Sequence, residues 1–140
     1  MLRYVKLLIR LRRRHRSLSR NSFLTGTPIP GRGVPDVSWH GARLNDPGWD
    51  DPTGRMLAYT LAGWDEGEDD LHVILNMCDA TCEAELPSIP DRTWYLAVDT
   101  SHPEPEDIVE PLSQQRYDRP MYEVGPRSMV VLEARNTRPG

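Results

Sequence analysis

A chain of 140 residues with a net charge of −4 is long enough for one domain with its own core. It is too short for a (β/α)₈ barrel, which typically needs ~250 residues. No apolar run approaches the ~20 residues that span a bilayer. An acidic body argues against a duplex-binding surface, where phosphate contacts dominate affinity; neither a membrane nor a nucleic acid is the expected partner.

The charge is unevenly distributed. Residues 1–20 hold eight Lys/Arg and no acid, leaving nine bases against twenty-one acids in the remainder. Within that basic segment Leu2, Tyr4, Val5, Leu7, Leu8, Ile9 and Leu11 recur at steps of three and four. The spacing predicts a helix over 2–16 with a broad apolar face. Arg12, Arg13, Arg14 and Arg16 crowd its C-terminal turns, where the helix dipole favours cations. An Arg-rich, acid-free start also has the composition of a mitochondrial presequence, but no small-residue cleavage site follows it. So wide an apolar face requires a surface to pack on: the remainder of this chain, a second copy or another polypeptide.

Residues 21–54 read as mostly irregular, punctuated by Thr27-Pro28, Pro30-Gly31, Val34-Pro35, Pro47-Gly48 and Asp51-Pro52. Trp39 and Trp49 give this stretch hydrophobic anchors. Six strands are expected beyond it, at 56–62, 71–78, 81–86, 93–99, 121–124 and 128–134. The clearest signal is Leu71, Val73, Leu75 and Met77 alternating with His72, Ile74, Asn76 and Cys78, the period-2 pattern of a sheet. Short strands separated by turn residues at this spacing indicate an antiparallel sandwich. The expected architecture is therefore mainly β, a β-sandwich preceded by one amphipathic helix. Its divisions are a helix at 1–20, an entry loop at 21–54 and the sandwich at 55–140.

Chemistry-bearing motifs are sparse. Cys78 and Cys82 form a CxxxC pair, two ligands short of a structural zinc site. They read as small buried or half-buried thiols of a reducing cytoplasm, with a disulfide across a tight hairpin as the alternative. The run Asp65-Glu66-Gly67-Glu68-Asp69-Asp70 lacks the EF-hand pattern and reads as a solvated loop rather than a calcium site. His15, His40, His72 and His102 are scattered, no serine sits in a G-x-S-x-G elbow, and Gly31-Arg32-Gly33 has neither the strand nor the helix of a phosphate loop. No cofactor, metal site or catalytic residue is expected. Aromatic faces can meet sugar rings, so Trp39, Trp49 and Trp64 are the candidate carbohydrate contacts, while Trp94 lies in a strand pattern and reads as core.

Several segments fall together in a familiar order. Leu2 to His15 is followed by Phe23-Leu24-Thr25-Gly26, Asp36-Val37-Ser38-Trp39-His40-Gly41 and Trp49-Asp50-Asp51-Pro52. Then come Arg55-Met56-Leu57-Ala58, Leu71-His72-Val73-Ile74-Leu75-Asn76, Trp94-Tyr95-Leu96-Ala97-Val98-Asp99-Thr100 and finally Pro126 to Leu132. This succession resembles the C-terminal region of bacterial glycogen debranching enzymes of the isoamylase type, in the α-amylase superfamily. His40 departs from it, standing where the family usually has a second aromatic; Cys78 stands where a small polar residue is frequent. The resemblance implies an α-amylase-type C-terminal sandwich, with the helix as the last one of a catalytic barrel whose other elements lie outside this sequence. It also implies a parent that hydrolyses α-1,6 branch points in glycogen. Retaining glycosidases use two carboxylates across the sugar site, held in this superfamily at the ends of barrel strands. No acid here matches those motifs, so Asp36, Asp50 and Asp99 inherit no such role. Three functions follow as expectations: a non-catalytic domain supporting its barrel, a stand-alone glucan-binding module for glycogen or branched glucan, or an interaction protein docking or self-associating through its basic helix.

Overall fold

The computed structural model describes residues 2–14, 36–41, 44, 55–63, 69–89, 92–103 and 106–136. A helix, α1 (Leu2–Arg14), precedes eight strands: β1 (Val37–His40), β2 (Met56–Leu61), β3 (Asp70–Asn76), β4 (Cys82–Glu85), β5 (Arg92–Asp99), β6 (Arg116–Tyr117), β7 (Met121–Val124) and β8 (Ser128–Asn136). Six strands form one sheet in the order β1-β2-β3-β8-β5-β6, and β4 pairs with β7 in a second. Every pairing is antiparallel. The mainly β sandwich with an N-terminal helix is the observed fold.

Two strands were not expected from the sequence. β1 lies in the stretch read as irregular: four residues carry little periodic signal, and the surrounding prolines and glycines dominate the local pattern. Its strand character comes from pairing with the free edge of β2, Val37 opposite Leu61 and Trp39 opposite Tyr59. The two-residue β6 is likewise created by its partner β5.

The large sheet is covered on both faces. On the first, α1 lowers Leu7 and Leu11 onto Val37, Leu61, Leu71, Val73, Val98, Ile108 and Val131, with Leu8 packed beside them. Residues 7 and 11 are one helical turn apart, so a single stripe faces the sheet. On the second face, Ile74, Val130, Leu132 and Trp94 meet Ala84, Leu86, Tyr122 and Val124 of the β4–β7 layer. The expected alternation of β3 thus serves two cores rather than one core and solvent, and every residue of this strand but the half-buried Leu75 is buried.

Two polar fasteners join the layers. Asn76 donates its amide hydrogens to Ala80 O, Val124 O and Gly125 O at 3.0–3.1 Å and accepts the amide of Cys78 at 3.0 Å. Asp99, 1% exposed, accepts the Tyr122 hydroxyl at 2.6 Å, the Ser101 hydroxyl at 2.6 Å and the Ser101 amide at 3.0 Å. Burial, and then donation to Asp99, push the Tyr122 phenol well above its usual range. A buried hydrogen bond to a charged acceptor contributes ~1.5–3 kcal/mol. Tyr122→Phe is therefore expected to lower stability by about 2 kcal/mol, read as a shift in the urea midpoint at constant m-value; no shift would mean that the bond does not tie the layers together.

β5 carries a bulge between Leu96 and Val98. The freed Ala97 carbonyl accepts the Val109 amide at 2.9 Å, and the Asp99 amide donates to Asp107 O at 2.9 Å. The bulge thereby draws residues 107–109 alongside the sheet and places Ile108 in the core beneath α1.

Candidate functional site

The outer side of α1 is the first candidate surface. While Leu7 and Leu11 are 8% and 7% exposed, Val5 and Ile9 are 43% and 47% exposed on the opposite side. Positions 5, 9, 12 and 13 lie along one stripe at helical spacing, so two apolar side chains run into Arg12 and Arg13, both exposed. The amphipathic pattern did not reveal that the helix has two distinct apolar stripes, one for its own sheet and one facing outward.

The aromatic candidates separate sharply. Trp39 is 42% exposed on β1, on the α1 side of the sheet at its edge. Its ring stands 5.5 Å from that of Tyr59, tilted by 53°, because the two residues are register partners across β1 and β2. Burial raises the Tyr59 phenol above its ordinary value. No sequence pattern singles out Tyr59; the strand register shows that it completes a platform with Trp39. Trp49 and Trp64 lie outside the described residues. Trp94 is core, its indole N–H donating to Pro87 O at 2.7 Å.

Polar groups within the sheet form a chain rather than a cleft. His40 Nε2 lies 3.0 Å from Thr60 Oγ1, which lies 2.8 Å from His72 Nδ1. The single hydroxyl serves one imidazole as donor and the other as acceptor. His72 is fully buried against the Trp94 ring, 5.7 Å between centroids, and its Nε2 has no hydrogen-bond partner among the described residues. Burial, and then the neighbouring His40, lower its pKa to about 3; burial also lowers that of His40. Beside them Asp70 accepts the Gly63 amide at 2.7 Å and stands 3.8 Å from Arg92, both side chains almost wholly enclosed. Asp70, read from the sequence as part of a solvated acidic loop, is instead a buried strand residue.

The buried acids whose contacts are described hold the structure together: Asp70 fixes the start of β3, Asp99 the β5 turn, and Glu133 accepts Gln114 Nε2 at 2.7 Å. Asp50 lies outside the described residues. Among the described residues no three His, Cys, Asp or Glu side chains converge as a metal site, and no helix is long and apolar enough to cross a membrane. Cys78 and Cys82 are free thiols.

An antiparallel two-sheet sandwich with one helix packed on its larger sheet defines a β-sandwich domain. The chain belongs to the isoamylase 1–3 C-terminal domain family, whose model matches residues 38–130. It is similar to isoamylase 1, chloroplastic, of Arabidopsis thaliana, at 30% identity over 78% of this chain and 12% of that protein. It is also similar to isoamylase 2, chloroplastic, of Oryza sativa subsp. japonica, at 28% identity over 72% of this chain and 14% of that protein. The chain thus spans about an eighth of the length of these curated relatives.

Proposed function

We propose that this chain is the non-catalytic C-terminal β-sandwich of a debranching enzyme acting on α-1,6 branch points of glycogen-like glucan, and that α1 seats it against the catalytic barrel. The observation that carries this reading is the doubled helix: Leu7 and Leu11 bury into the sandwich while Val5 and Ile9 stand exposed on the other side. An apolar stripe ending in arginines suits a partner surface with an apolar centre and an acidic border. The free thiols fit a cytoplasmic setting.

Sedimentation of the chain with a separately produced isoamylase catalytic barrel tests the proposal. A complex is expected at micromolar concentration, lost in Val5→Asp/Ile9→Asp, a change that leaves the inner stripe intact. Absence of a complex, or one indifferent to those substitutions, would contradict it. Concentration-dependent dimers of the chain alone would show that the stripe seats a second copy instead.

A second reading is favoured by the exposed Trp39 standing against Tyr59: the sandwich itself contacts glucan. Truncating an aromatic residue that anchors a binding surface typically costs more than ~1 kcal/mol, so Trp39→Ala is expected to weaken binding of a branched oligosaccharide about tenfold in an NMR titration. An unchanged affinity would remove Trp39 from the site.

A further inference from the structure

The turn between β3 and β4 crosses from the six-stranded sheet to the two-stranded one, with a cysteine at either end. Cys78 and Cys82 are the two cysteines of this sequence. The hairpin after β7 holds both in place: the Cys78 carbonyl accepts the Arg127 amide at 3.0 Å, and Cys82 opposes Val124 in the β4–β7 register. Asn76 clamps the same turn, donating to Ala80 O and Val124 O at 3.1 Å. The Cys82 sulfur bends back into the turn, 3.7 Å from Ala80 O, and its thiol hydrogen-bonds the Cys78 sulfur. We propose that this pair is a reversible oxidation site, a dithiol that a small disulfide converts into a staple between the two sheets.

Both thiols are half-buried, open to a small reagent yet held against each other. Burial, and then the bond to Cys78, push the Cys82 thiol up, so it keeps its proton and the first attack falls to Cys78. The Cys78 thiolate attacks one sulfur of a low-molecular-weight disulfide such as oxidised glutathione and expels the other half as a thiolate. Cys82 then gives up its proton, attacks the Cys78 sulfur of the mixed disulfide and expels the second thiol. The protein loses two protons and two electrons, and the small disulfide takes them up as two thiols. Asp79, between the cysteines in sequence, is paired with Arg127 at 2.6 Å, which offsets its repulsion of a forming thiolate. The ring closed by residues 78–82 is short, so the entropic gain is modest. What it adds is a covalent tie between the sheets beside the Asn76 hydrogen bonds.

The full chain equilibrated in glutathione buffers of stepped reduced-to-oxidised ratio, then alkylated and weighed intact by mass spectrometry, puts this to the test. Toward the oxidised end both alkylation sites should disappear together. The chain should then be lighter by two hydrogens and retain no glutathione, and dithiothreitol should restore both sites. Cys82→Ser, which lacks the resolving thiol, should stop with one glutathione on Cys78. The oxidised chain should also unfold at a higher urea concentration than the reduced one. Wild-type chain that retains glutathione, cross-links to a second copy, or keeps both thiols in oxidised glutathione would overturn the pairing. An oxidised form with an equal or lower urea midpoint would overturn the staple.

Discussion

Acid is expected to destabilise this domain steeply, and His72 to be the main cause. Its pKa is about 3 in the folded chain against an ordinary 6.5. The unfolded chain therefore binds a proton that the folded one refuses across this window. Stability is fully present above about pH 6.5 and is lost as pH falls toward 3, at ~1.4 kcal/mol per pH unit. By about pH 3.5 the loss reaches roughly 4 kcal/mol, a large share of the ~5–15 kcal/mol that holds a domain folded. The structural cause is plain: a doubly protonated His72 must place a charge beside Trp94 and His40, with one N–H lacking a partner. His72→Phe keeps a ring against Trp94 and removes the titrating group. Urea midpoints between pH 7 and 4 should fall steeply in the wild type and much less in the variant. Parallel curves would show that another group controls acid unfolding.

The second large effect concerns α1. Leu7 and Leu11 are buried in the cluster that also contains Val98, Ile108 and Val131. Replacing a buried leucine by alanine costs ~2–5 kcal/mol, depending on how far the site collapses. Each of Leu7→Ala and Leu11→Ala is expected to cost about 2–3 kcal/mol, at the low end because the cover is a single helix. Their combination should fall short of the sum, since both residues share one contact surface. Val5→Ala and Ile9→Ala should change the stability of the isolated chain by less than about 0.5 kcal/mol, as surface substitutions do. Equal effects from the two pairs would mean that α1 does not sit on the sheet in the manner described.

These two effects also mark where the sequence was informative. Period-2 alternation located β3 to within two residues, the apolar run Met129-Val130-Val131-Leu132 marked β8, and the step of three and four in residues 2–16 identified α1. None of these patterns names a partner. Amphipathicity says that Leu7 and Leu11 need a surface, but not that the surface is the sheet 30 to 120 residues onward in the same chain. Nor does alternation tell that His72 will be enclosed, because its environment is made by His40 and Thr60 on two other strands. Asp70 was hidden by its acidic neighbours, since the residues that enclose it, Gly63 and Arg92, lie on either side in sequence. The Trp39–Tyr59 platform and the seat of Ile108 beneath α1 depend on register and on a bulge, and a single sequence discloses neither.

One experiment bears most directly on the claim that α1 belongs to the sandwich on one side and to a catalytic barrel on the other. Methyl NMR of the chain, alone and with an isoamylase barrel, reads both sides of the helix at once. Cross-peaks from Leu7 and Leu11 to Val98, Ile108 and Val131 should be present from the start, and barrel addition should shift Val5 and Ile9 while leaving those cross-peaks in place. Missing cross-peaks in the free chain, or Leu7 and Leu11 released from the sheet when the barrel is added, would contradict the account.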